Sequence, residues 1–284
     1  MPLANAALGK AAETKGTDSR PTAALPVQGA GLNAFSSEAS SGAVSFRIGE
    51  SFDGPKAINV GGLGVRKKLV LPTGRWVALA AQDEAIELPA VLSHSSYRVT
   101  VTTASFGRFA GGRLVSLMTF KFSSRKTNPA VSWSSLDGCA GAGTVPLQSS
   151  RPTKGGWRDE CAALAFESSP LADKSPATAE LQRSLARLGA AVSGSALVST
   201  WSYSEKQRGY LGIARHDWPG AALGDEGQTI RDWSPENQTG ERQVFASRLW
   251  SWSKDYGRFA SEGYMNDFED NGKGPTDFAF VASK

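Results

Sequence analysis

Cysteine and histidine are scarce. The chain has two of each in 284 residues: Cys139, Cys161, His94 and His216. Two lone cysteines and two distant histidines do not supply the closely spaced ligand set that zinc requires, so no cofactor is expected. No G-x-S-x-G occurs, which removes the usual strand-to-helix nucleophile signature. Gly61-Gly62-Leu63-Gly64 lacks the Lys-Ser/Thr and the helix that a phosphate loop needs, and it reads as a turn. No run of 18 apolar residues is present, which excludes a transmembrane helix; the longest apolar stretches, such as residues 76–81, are the length of a strand. Arg66-Lys67-Lys68 is the only triple basic cluster, and without a recognition motif it does not make a nucleic-acid surface.

The first residues, MPLANAALGKAAETKG, show no basic stretch followed by an apolar core. That leaves either a mature chain whose leader has been removed or a cytoplasmic one with two free thiols. The cysteine pair favours the first. Cys139 and Cys161 bracket CAGAGTVPLQSSRPTKGGWRDEC, a segment rich in Gly, Ser, Pro and Thr with little to hold it in shape. A disulfide across it is expected to stabilise the fold by about 3 kcal/mol on the chain-entropy account. Such bonds persist outside the cytosol. The expected location is therefore periplasmic or secreted.

Charge is uneven. Residues 45–160 carry 15 Lys/Arg against 8 Asp/Glu, whereas residues 161–284 carry 13 against 16. The plain interpretation is a solvated surface with dispersed charge.

Residues 1–43 are dominated by Ala, Gly, Ser, Thr and Pro, with no period of 2.0 or 3.6. They read as a disordered spacer that buries too little apolar surface to offset its ordering entropy. Residues 44–284 read as one domain, with a weak boundary at 168–176. Within it, Val44 to Ile48 alternates as a strand. Residues 68–71 and 75–82, joined by Pro72-Thr73-Gly74, predict a hairpin. Residues 97–103 alternate and are β-branched. Residues 113–122 place Leu114, Ser116, Met118, Phe120 and Phe122 on one face, with Val115 and Leu117 apolar on the other, as a central strand would. Residues 131–135, 161–166 and 277–282 are further strand candidates, and 196–204 with 209–218 form a second hairpin. Ser175 is a plausible N-cap, with Pro176 opening a helix that carries Leu181, Leu185, Leu188 and Val192. A second helix follows Thr239, with the stripe Phe245, Leu249, Trp252, Tyr256 and Phe259. The fold class is α+β: an antiparallel, partly curled sheet with two packed helices and one disulfide.

The chemistry-bearing residues are few. Asp267, Glu269 and Asn271, with Gly272, fit the start of a calcium loop, but its twelfth position is Phe278 rather than Glu, and the stretch reads as an acidic surface turn. Asn237-Gln238-Thr239 is a formal glycosylation sequon that fits helix capping equally well. Of eight tryptophans, Trp201 and Trp252 fall on buried faces. Trp218, Trp233 and Trp250 are the candidates for an aromatic platform that stacks on sugars, Trp250 best of all because it is off the helical stripe. His216 and Asp217 are adjacent, and neighbours on a strand point to opposite faces, so they do not form a catalytic pair.

By exclusion, the expected function is a non-enzymatic binding or structural domain of the cell envelope with a protein or glycan partner. Two alternatives stay open: a glycan-binding module, and a hydrolase whose site is assembled from distant strands. A cleft lined by carboxylates and a histidine would favour the hydrolase, and exposed tryptophans the binder.

Overall fold

The structure, a computed structural model, describes residues 42–61, 67–90, 95–123, 131, 133, 139, 145–154, 158–192, 194–205, 209–219, 229–234, 236–238 and 240–265. All of them fall in the compact unit Phe35–Lys284. Eight strands form one antiparallel sheet: β1 (Ser51–Val60), β2 (Lys67–Pro89), β3 (Ser96–Ala110), β4 (Arg113–Ser123), β5 (Val145–Lys154), β6 (Arg158–Glu167), β7 (Ala196–Glu205) and β8 (Gly209–Asp217). Their order is β1-β2-β3-β4-β8-β7-β6-β5. Two four-stranded meanders thus meet where β4 pairs with β8, and the sheet ends openly at β1 and β5. Both edges are irregular. β1 carries Pro55 beside a register shift at Gly54/Lys56, and β5 carries Pro152 within a second shift. Proline and bulges blunt an edge against pairing with another chain.

Among the described residues, three helices accompany the sheet: α1 (Pro176–Arg187), α2 (Ile230–Trp233) and α3 (Gly240–Met265). Ser175 caps α1, its hydroxyl accepting from the Thr178 amide at 3.2 Å, as the Ser-Pro signature predicts. Leu181 and Leu185 of α1 pack on Leu79, Leu114, Leu117 and Trp218, on one face of the sheet. The opposite face is covered by the 26-residue α3. There Tyr256, Ala260 and Tyr264 meet Phe106, Phe120, Phe122 and Trp201, while Phe245 and Leu249 meet Leu164 and Leu197. The helical stripe is therefore a packing face, as its spacing implies.

Three expectations change in detail. Pro72-Thr73-Gly74 is not a hairpin turn but the middle of the 23-residue β2. Gly74, at φ 114°, lies opposite Gly54, and a side chain on Gly54 would come within 1.9 Å of the Pro72 carbonyl. Paired glycines let the two strands absorb the irregularity, so β2 continues. Residues 44–48 make a single bridge, Val44 to Val60, rather than a strand; even so, Phe46 and Ile48 are core residues, and so is Ala43, at the expected end of the spacer. Finally, the cysteine-bracketed segment is not shapeless. It contains β5, and Cys139 is joined to the buried Cys161 by a disulfide. Within 131–135, Val131 bridges Ala90 and Trp133 is buried. Residues 1–41 and 277–282 lie outside the described residues.

One close approach carries a prediction. A Cβ on Gly257 of α3 would sit 2.3 Å from the indole of Trp201, which is buried and donates to Ser261 at 2.9 Å. In a free helix Gly→Ala gains about 1 kcal/mol. Here overpacking costs about 1–3 kcal/mol and outweighs that gain. Gly257→Ala is expected to lower stability in urea melts; an increase would show that α3 can shift off the sheet without cost.

Candidate functional site

The face of the sheet that carries α1 is not covered evenly. At one end α1 lies on Leu114, Leu117 and Trp218. At the other, Val131 and Trp133 cover Leu88, Val101 and Tyr210, with the Trp133 and Tyr210 rings stacked at 6.2 Å. Between these apolar clusters is a cavity of about 950 Å³. The strand register explains it. Ser105, Thr119, Ala214, Thr200 and Ala163 stand side by side across β3, β4, β8, β7 and β6. The next row runs Thr103, Lys121, Gly212, Ser202 and Cys161. On the α3 face the corresponding row is Ala104, Phe120, Ile213, Trp201 and Ala162. Bulk is thus concentrated on the α3 face. The other face carries short and hydroxylic side chains in its middle, so a trough remains beside the N-terminal end of α1.

The trough's polar groups are held in place. Ser105 Oγ and Thr119 Oγ1 share a 3.0 Å hydrogen bond. Lys121 Nζ lies 3.6 Å from Glu84, both groups remaining partly open to solvent. On the far side, His216 Nε2 is 3.4 Å from a Glu167 carboxylate oxygen, the two side chains being 13% and 27% exposed. The imidazole stacks on Trp218 at 6.3 Å. Its Nδ1 is buried and has no hydrogen-bond partner. At the α1 N-terminus, Asp173 accepts from the Ser175 amide at 3.1 Å and from Thr178 Oγ1 at 3.3 Å. Hydrogen bonding from Ser175, then from Thr178, holds the Asp173 carboxyl below its usual range.

The sequence candidates are placed as follows. Trp218 is 2% exposed beneath α1, and Trp233 is fully buried against Phe245. Neither ring offers a face to a sugar. Trp250 is half-buried between two apolar clusters, with Lys254 Nζ 5.0 Å from its ring. His216 and Asp217 do face opposite ways: His216 meets Glu167 across the trough, and Asp217 chelates Arg215 on the α3 face at 2.8 and 2.9 Å. Asn237 donates its side-chain amide to the Arg231 carbonyl and to Ser234 Oγ, both at 2.9 Å, closing the turn after α2. His94, Asp267, Glu269 and Asn271 lie outside the described residues. Among the described residues, no three His, Cys, Asp or Glu side chains gather as a metal site, and no helix is long and apolar enough to cross a membrane.

Sequence reasoning missed the trough, although one signal was present. The α1-side face of β4 passes from Val115 and Leu117 to Thr119 and Lys121, while the opposite face ends on Met118, Phe120 and Phe122. A central strand that turns polar on one face only in its middle marks a surface left open. Compared with protein-family models, with curated proteins and with solved structures, the chain shows no significant match.

Proposed function

We propose that this chain is a non-enzymatic binding domain of the cell envelope, working in the periplasm or outside the cell, and that it takes a small polar ligand in the trough. The observation that carries the reading is the cavity of about 950 Å³ on the α1 face of the sheet. Ligand sites are concave, largely preformed, and fixed by a few convergent polar groups. Thr103, Ser105, Thr119, Lys121, Glu167 and His216 supply those groups on paired strands rather than on loops. The disulfide supports the compartment, since such bonds survive where thiols are not kept reduced.

A hydrolase is the second reading, favoured by the presence of His216 and Glu167 in a cleft. It has the weaker support. A nucleophile and its base stand within hydrogen-bond reach of each other. His216 Nε2 faces a carboxylate, and Nδ1 bonds to no hydroxyl.

Thr119 sits on the trough floor, half-buried, at the centre of the sheet. Thr119→Trp places an indole in the cavity. Protein-observed NMR against a panel of sugars, amino acids and amines is expected to show saturable shifts at Thr103, Lys121 and His216, weakened at least tenfold in the plugged variant. If no panel member gives saturable shifts there, or if Thr119→Trp binds as well as the parent, the trough is not a binding site.

A further inference from the structure

We draw no further inference here: the strongest candidate, the side-chain cluster of Arg108, Ser116, Arg215 and Asp217 in neighbouring strands on the α3 face of the sheet, carries nothing, because Arg215 and Asp217 already bind each other through two hydrogen bonds, Ser116 Oγ is sealed from solvent, and nothing in the structure shows a ligand for the half-buried Arg108.

Discussion

Asp217→Ala is expected to cost about 3–5 kcal/mol, the penalty for removing one partner of a buried ion pair. Arg215 is 1% exposed and Asp217 6%. The guanidinium donates from Nε to one carboxylate oxygen at 2.8 Å and from a terminal nitrogen to the other at 2.9 Å. Above it lies Trp252, with Arg215 4.4 Å from the ring, and Trp252 stacks in turn on Tyr256 at 4.7 Å. The carboxylate also acts on Arg108: burial and the Arg215 charge lower the Arg108 pKa, and Asp217 opposes both. Removing Asp217 therefore takes two charge-assisted hydrogen bonds from one buried guanidinium and removes an attraction that offsets the repulsion on a second. A domain of this size has a total stability of about 5–15 kcal/mol, so the loss is a large share of it. The double variant Arg215→Met/Asp217→Leu separates charge from shape. Buried pairs replaced by apolar residues of similar volume are often neutral, so the double variant is expected to recover most of the single variant's loss. Urea melts of the three proteins provide the test; a single variant within about 1 kcal/mol of the parent would mean that water reaches Arg215 and screens it.

Breaking the disulfide is the second large effect, expected at about 3 kcal/mol for a loop of this length. The bond joins Cys139 to Cys161, 22 positions apart, and the segment between them includes the edge strand β5. β5 pairs only with β6, through two register shifts, and β6 is itself anchored on β7. With the bond removed, β5 is left with that irregular ladder and the packing of Leu147 on the Leu164–Trp233–Phe245 cluster. Cys139→Ser/Cys161→Ser is expected to lower the urea midpoint and to speed hydrogen exchange in β5 well before exchange rises in β4 or β8. Uniform exchange across the sheet would instead show one cooperative unit. The same bond bears on the compartment. Alkylation of protein taken from its native source should find no free thiol, and two reactive thiols would remove the case for an oxidising environment.

Much of the secondary structure was legible because it depends on neighbours in the chain. Ser175-Pro176 caps and opens a helix wherever it sits, since the cap hydroxyl meets an amide three residues on. The apolar alternation of residues 113–122 identifies a strand with two covered faces, and β4 does lie mid-sheet. The break at Pro72-Thr73-Gly74 was misread because proline and glycine usually signal a turn. Gly54, 20 positions away, is what allows the strand to continue. Trp218 and Trp233 illustrate the same limit. A tryptophan in a polar-looking stretch reads as exposed until the element that covers it is known, here α1 for Trp218 and Phe245 of α3 for Trp233.

The sequence on its own determined the strand and helix segments with strong periods, the cysteine pair, and the absence of a membrane-spanning helix, all of which follow from residue type and short-range spacing. Only the tertiary structure decided that β4 pairs with β8 across about a hundred residues. That pairing brings Thr119 beside Ala214 and places His216 in the same trough as Lys121. A strand pattern states which side chains share a face. It does not state which strand lies alongside, or whether a helix covers that face to its end, because both are set by packing between segments far apart in the chain.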